Sequence, residues 1–263
     1  MYYFIPAWYN PDRIWYDETK EWTYRDEKLQ FDDSVNQIRV FHQNYQDVSI
    51  LVLNYSPNLR SFLHQKDLFE VPHHSIFDEL QGIHQLKSGR PIDWRTLSWP
   101  DRTEFIYSPF TITAYLDNQL YGRIHIASGG HLYKIDLFEE KDVLKERLVF
   151  DDRGFLSSIL YFKEGNEDYQ DYLNDKGDWC LREYLGERAH EGIDINRQTV
   201  FSVKEEHYSN WETLISEIVF NKFTEMTSDD HIVVAAQSQN NLLFKDTPVA
   251  LTYSFFPRSL CFF

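Results

Sequence analysis

Cysteine is nearly absent: Cys180 and Cys261 are the only two in 263 residues. Neither belongs to a Cys-x-x-Cys pair or stands beside a histidine at metal-ligand spacing. A disulfide scaffold is therefore excluded, and reduced thiols of the cytosol are the expectation. Long apolar runs are missing too. No stretch approaches the ~20 residues a membrane-spanning helix needs. The opening Met1-Tyr-Tyr-Phe-Ile-Pro-Ala has no positive charge, and its apolar run breaks at Pro6, so no signal peptide is expected. Basic residues are scarce, 26 against 42 acidic, for a formal charge of −16. That field repels phosphate backbones and anionic headgroups, so no nucleic acid is expected as a partner. The length suits one large domain or two ordinary ones.

Motifs of catalysis are missing as well. A nucleotide site wants Gly-x-Gly-x-x-Gly or a Gly-Lys-Ser/Thr loop, so that bare backbone amides meet the phosphates. The first loop, Pro6-Ala-Trp-Tyr-Asn-Pro, has no glycine; Pro6 lacks an N–H, and Trp8 and Tyr9 fill the space. There is no Gly-x-Ser-x-Gly elbow and no His-Glu-x-x-His. His73-His74 has no accompanying carboxylate pattern and reads as structural. Asp32-Asp33 reads as a helix start and Asp151-Asp152 as a hairpin turn before Gly154. No cofactor, metal or catalytic residue is expected.

What is present is aromatic. Nine of the first 24 positions are Tyr, Phe or Trp. Core packing with interface anchoring explains such density, and a sugar-stacking platform is the sharper alternative. Tyr2–Ile5 and Val48–Leu53 read as buried strands. Phe31, Val35, Ile38, Phe41 and Tyr45 line one face of a helix between them. Helical pieces follow over 59–64 and 76–86, and Phe105–Tyr107 reads as another buried strand closed by Ser108-Pro109.

From about 111 to 204 the pattern is short alternating runs between turn signals. Gly130, Gly154 and Gly177 fall 24 and 23 residues apart, the mark of an antiparallel meander. Ser209 with Glu212 forms a capping box ahead of Trp211, Leu214, Ile215, Ile218, Val219 and Phe223 at helical spacing. Apolar strands Ile232–Ala236 and Val249–Tyr253 come last. The predicted architecture is a Rossmann-like α/β unit over 1–110, an inserted antiparallel β-sheet domain over 111–204, and a return to the α/β unit over 205–263. The apolar ending Ser254-Phe-Phe-Pro-Arg-Ser-Leu-Cys-Phe-Phe is expected of a fragment or a shifted reading frame.

Open α/β sheets bind ligands at the C-terminal ends of their strands. The candidate glycan- or partner-binding loop residues are therefore Trp8, Tyr9, Asn54, Tyr55, Ser56, Asn58, Arg60 and Ser108. Sugar stacking and interface anchoring use the same side chains, so spacing does not choose between them.

Six segments together resemble one family: Tyr3-Phe-Ile-Pro-Ala-Trp-Tyr, Phe31-Asp-Asp-Ser-Val-Asn-Gln-Ile, Glu104-Phe-Ile-Tyr-Ser-Pro-Phe, Ile135-Asp-Leu-Phe, Phe150-Asp-Asp-Arg-Gly-Phe-Leu-Ser-Ser and Tyr169-Gln-Asp-Tyr-Leu. They are similar to the first accessory Sec system secretion protein of streptococci and relatives. The resemblance implies an α/β chain that is one Rossmann-like half of a glycosyltransferase-B-like fold, with an extended antiparallel β-sheet domain inserted. It implies a non-catalytic subunit that binds glycosylated serine-rich repeat adhesin during export. The implied partners are two sister accessory secretory proteins and the accessory Sec motor ATPase. The implied location is cytoplasmic, with recruitment to the membrane through partners. Members are about twice as long, and the missing half would hold a nucleotide-sugar pocket. An active glycosyltransferase modifying the same adhesins, or a pure scaffold, are the competing readings.

Overall fold

Apolar strands alternating with amphipathic helices make the first part of the chain. In the computed structural model the described residues are 1–9, 13, 15–16, 33–44, 46–83, 90–108, 111–127, 129–237, 240, 243–244 and 251–254. Strand β1 (Tyr2–Ile5) is followed by α1 (Asp33–Gln43), β2 (Val48–Val52), α2 (Leu59–Gln65), β3 (His73–Ser75) and α3 (Ile76–Leu80). Val35 and Ile38 of the expected helix face are buried and Phe41 packs beside them; Phe31 and Tyr45 lie outside the described residues. Helix α3 begins where the Ser75 side chain accepts from Asp78 N. It ends at Leu80, short of the expected residue 86, because Gly82 takes a φ of 66° that breaks the helical path.

Ten strands follow: β4 (Glu104–Tyr107), β5 (Ile112–Leu116), β6 (Gln119–Ile126), β7 (Leu132–Glu139), β8 (Val143–Asp151), β9 (Phe155–Lys163), β10 (Asn166–Leu173), β11 (Trp179–Tyr184), β12 (Ile193–Ile195) and β13 (His207–Tyr208). Each pairs antiparallel with the next, so their order in the sheet is their order in the chain. Helix α4 (Trp211–Thr224) and strands β14 (His231–Ala235) and β15 (Leu251–Ser254) complete the described fold.

The five strands β15-β14-β1-β2-β3 form a wholly parallel sheet. Strand order reverses between β1 and β14, the point where open α/β sheets form their ligand crevice. Side-chain alternation distributes the sheet's residues to two cores. Phe4, Ile50 and Val52 join α1 and α2 on one face through Ile38 and Leu63. Ile5, Leu51 and Leu53 join Leu214, Ile218 and Val219 of α4 on the other. That second core is continuous with Tyr172, Cys180, Leu181 and Ile193 of the large sheet, so the two sheets share one apolar interior. A third core lies further out, where Trp94 covers Ala114, Ile124, Ile135 and Phe150.

Two local expectations are corrected. Phe105–Tyr107 is not a buried strand: β4 is the outer edge of the ten-stranded sheet, with Ile106 and Tyr107 58% and 60% exposed. A short apolar run cannot by itself tell a buried strand from an edge. The cap of α4 is Asn210, whose side chain accepts from Thr213 N, one residue beyond the expected Ser209. Glu212 is thereby freed from a capping box and instead accepts from Trp15 Nε1 at 3.2 Å.

Gly130, Gly154 and Gly177 sit in the β6–β7, β8–β9 and β10–β11 turns, one strand pair apart, which returns the chain each time to the same end of the sheet. At Gly154, φ is 90° and a Cβ would stand 1.8 Å from Arg90 O. Gly154→Ala is expected to destabilise the fold by about 3 kcal/mol, read from urea unfolding.

Within the sheet, Asp136 on β7 faces Arg147 on β8, whose Nε donates to Oδ1 at 2.6 Å. Burial alone would raise the Asp136 carboxyl, but hydrogen bonding from His125 and Arg147 and the Arg147 charge pull it well below the usual carboxylate range. A depressed folded-state value gives stability that is present above the unfolded pKa of about 4 and is lost as pH falls further. Asp136→Asn is expected to flatten the fall in stability below about pH 4 in acid titration of the unfolding midpoint.

Candidate functional site: the crevice of the parallel sheet and the seam beside it

The crevice between β1 and β14 is bridged by the protein itself. Pro6 leaves the first loop without one donor. Trp8 is 7% exposed, with its ring against Phe62 of α2 at 4.7 Å. Tyr9 Oη donates to Asn240 Oδ1 at 2.6 Å, and Asn240 Nδ2 donates to Ala235 O at the end of β14 at 2.9 Å. Burial pushes the Tyr9 phenol upward, which keeps it a neutral donor. Trp15 packs edge-on against Tyr9 at 5.2 Å. A ring and an amide thus tie the end of β1 to the end of β14 across the crevice.

The loop after β2 is mostly interior. Asn54 is 1% exposed, and its Nδ2 donates to Trp8 O at 2.8 Å and to Ser56 Oγ at 3.1 Å. Tyr55 is equally enclosed, donating to Ser158 Oγ of β9 at 3.0 Å. Asn58 does not cap α2; its Oδ1 lies 2.6 Å from His131 Nε2. Trp8, Asn54, Tyr55 and Asn58 are therefore buried structural contacts rather than open loop residues. Ser56 and Arg60 remain partly exposed. Ser108 is brought nowhere near them in the sheet order: it closes the β4–β5 turn on the far edge, donating to Thr111 O at 2.8 Å.

The β8–β9 turn plugs the same edge. Asp152 N donates to Pro57 O at 2.8 Å, and the Asp152 carboxylate accepts from Ser61 N in the first turn of α2 at 2.7 Å. Arg153 forks onto Asp78 of α3, with Nη2 and Nη1 at 2.6 and 2.8 Å, and also bonds Asp151 through Nε at 2.6 Å. Burial pushes the Asp151 carboxyl up to about 6 against the pull of Arg153. Asp151-Asp152 is a turn, as its spacing before Gly154 predicts, yet it is also a buried latch between the sheets.

Beside the crevice runs an aromatic seam. Tyr55, Phe77 of α3, Tyr172 of β10 and Trp211 of α4 contact one another with centroids 4.9 to 5.7 Å apart. Glu183 of β11, 8% exposed, accepts from Tyr172 Oη at 2.7 Å, from Trp211 Nε1 at 2.7 Å and from Arg13. Burial opposes the Arg13 charge, but the Tyr172 oxygen and the Glu183 carboxylate more than offset it. A cavity of about 230 Å³ opens next to this network, among residues that include Arg13, Trp15, Glu183, Asn210, Trp211 and Glu212. Sequence reasoning missed Arg13, Glu183 and Glu212 as a group. Arg13 and Glu183 are 170 positions apart, and no spacing rule spans such a distance. Among the described residues, no group of three or more His, Cys, Asp or Glu side chains is placed to hold a metal ion. Nor is any described helix long and apolar enough to cross a membrane.

A parallel α/β half with its strand order reversing at β1, interrupted by a long antiparallel extension, defines a Rossmann-like half of the glycosyltransferase-B type. The structure of the pneumococcal O-GlcNAc transferase GtfA in complex with UDP and GlcNAc matches it with a TM-score of 0.67 over 96% of this chain and 47% of that one. The identity is 9%, so this likeness concerns the fold alone. Relatives that share more of the sequence narrow the class. The family of the first accessory Sec system protein (accessory secretory protein 1) matches residues 1–258. The accessory Sec system protein of that family from Staphylococcus aureus is 36% identical over 265 residues, covering 97% of this chain and 49% of that protein. The crystal structure of accessory secretory proteins 1, 2 and 3 in Streptococcus pneumoniae matches with a TM-score of 0.90 at 34% identity, covering 97% of this chain and 52% of that one. The chain belongs to the accessory secretory protein 1 family of the accessory Sec system. It spans about half the length of the curated relatives it matches.

Arg13→Met strands the buried Glu183 charge and is expected to cost about 3 kcal/mol in urea unfolding. The double variant Arg13→Met with Glu183→Met is expected to cost less than the sum of its single changes, because no lone charge is left.

Proposed function

We propose that the protein is a non-catalytic subunit of the accessory Sec system, binding glycosylated serine-rich adhesin and two sister subunits during export. The observation that carries the reading is the family match over residues 1–258; the bridged crevice, closed by Pro6, Trp8 and the Tyr9–Asn240 bond, leaves the ligand edge of this half shut. Family membership supports the role in export. The pneumococcal relative, solved as a complex of accessory secretory proteins 1, 2 and 3, supports association with sister subunits. The motor ATPase is the further partner of this reading, and recruitment to the membrane would come through these partners.

The loop after β2 and the first turn of α2 are the proposed meeting place for glycan or partner, through their partly exposed residues Ser56 and Arg60. Trp8 and Tyr9 are packing contacts, the Trp8 ring on Phe62 of α2 and Tyr9 on Asn240, so replacing them with alanine would loosen the crevice rather than probe a surface. The fold shared with glycosyltransferases favours the second reading, an active transferase acting on the same adhesins.

One assay separates the two. The full-length protein incubated with labelled nucleotide sugars and acceptor adhesin is expected to give no transfer, and robust turnover would overturn the non-catalytic reading. In the same full-length protein, Arg60→Ala is expected to weaken adhesin binding about tenfold in titration calorimetry, with an unchanged unfolding midpoint.

A further inference from the structure

The two edges of the ten-stranded sheet are built differently. At one end β13 is only two residues long, and short edge strands resist further pairing. At the other, β4 runs over Glu104–Tyr107 with no lysine or proline in it, and Glu104 is its single charge. Ile106 and Tyr107 are each more than half exposed, and alternation puts them on opposite faces of the sheet. Pairing with β5 leaves half of the β4 backbone unused. Ser108 N donates to Thr111 O at 3.0 Å, which closes the turn as a hydrogen-bonded pair. Bonded and non-bonded pairs alternate along an antiparallel ladder. Ile106 and Glu104 therefore turn their backbone groups to Thr113 and Tyr115 of β5, while the N–H and C=O groups of Phe105 and Tyr107 point away from the sheet. Among the described residues nothing pairs with them.

This edge is complementary to itself. A second copy related by a two-fold axis normal to the sheet pairs antiparallel and keeps each face on its own side. Outward groups must oppose outward groups, and the register centred on Ile106 does so. It sets Ile106 across from its own mate and Phe105 across from Tyr107 of the other copy, twice, with every outward N–H and C=O of the two residues exchanged. Both ring pairs then lie on the Trp94 face, where Trp94 already contacts Phe105 at 4.9 Å and Tyr107 at 6.1 Å. Aromatic pairs placed in this way stabilise antiparallel strands. Charge points to the same place. Two copies of a chain with a formal charge of −16 repel one another, and least where charge is locally balanced. Beside β4, Arg95 pairs with Asp93 at 3.1 Å and Arg102 with Asp117 at 3.3 Å. We propose that β4 is a self-association edge, at which a second copy of this chain pairs antiparallel and joins the two large sheets into one. So short a contact is smaller than a standard interface, which makes the dimer a reversible one.

The test is sedimentation velocity on the full-length protein, purified alone, from about 1 to 200 µM. A monomer–dimer exchange is expected, with a Kd of order 10 µM. Ile106→Lys sets like charges across the two-fold axis from an exposed position, and is expected to weaken association about tenfold with an unchanged unfolding midpoint. Ile106→Glu is expected to do the same. An equimolar mixture of the two variants is expected to recover association, because each lysine then meets a glutamate across the axis. Tyr107→Pro removes an outward N–H while leaving the β4–β5 ladder intact, and is expected to weaken the dimer as well. A monomer at every concentration, a dimer indifferent to Ile106→Lys, or a mixture that fails to associate each overturns the proposal. If the protein is monomeric alone and Ile106→Lys instead abolishes capture of a sister subunit, the edge belongs to that partner and self-pairing is refuted.

Discussion

A single carboxylate sets the relation between the two sheets. Glu183 stands at the end of the aromatic seam and collects hydrogen bonds from the loop after β1, from β10 and from α4. A buried charge is tolerated only when its acceptor sites are filled, and a missing donor costs several kcal/mol. Tyr55, Phe77, Tyr172 and Trp211 supply much of the apolar area, but apolar contact has no direction and would allow the sheets to slide. Glu183 supplies the direction, because its three donors meet in one arrangement only.

The second anchor lies along the same edge and has a consequence for chemistry. The β8–β9 turn places Asp152 on Ser61 N and Arg153 on Asp78. A carboxylate of the large sheet thus occupies the first turn of α2, a place suited to an anionic ligand. Together with the Tyr9–Asn240 bridge, it turns the customary ligand edge of an α/β sheet into an internal joint. What remains open is displaced to the side, at the cavity bounded by the seam.

Several elements were legible because their signals are local. The β1 and β2 runs, the helix face of α4 and the evenly spaced turn glycines are patterns of neighbours within a few residues, and each became the expected strand, helix or hairpin turn. The family resemblance, carried by short segments such as Tyr3-Phe-Ile-Pro-Ala-Trp-Tyr, agreed with the family match and with the glycosyltransferase-B-like architecture. The cap of α4 slipped by one residue because Ser209 and Asn210 are both able to cap, and side-chain geometry decided between them. β4 was misjudged because burial is a property of what lies above a strand, which three apolar residues do not encode.

The amino-acid order by itself determined the elements, the alternating α/β and meander patterns, and the absence of glycine-rich phosphate loops and thiolate metal sites. Each of these depends on residues within a turn or a strand of one another, where sterics and periodicity act. Only the tertiary structure decided which loop residues are interior, so that Trp8, Asn54, Tyr55 and Asn58 became joints while Ser56 and Arg60 stayed partly open. Only it joined Arg13 to Glu183 and placed Glu212 beside Trp15. Those contacts come from folding one sheet against another. The cost of leaving a buried charge or amide unmatched is set by the whole assembled interior, and no short stretch of chain specifies it.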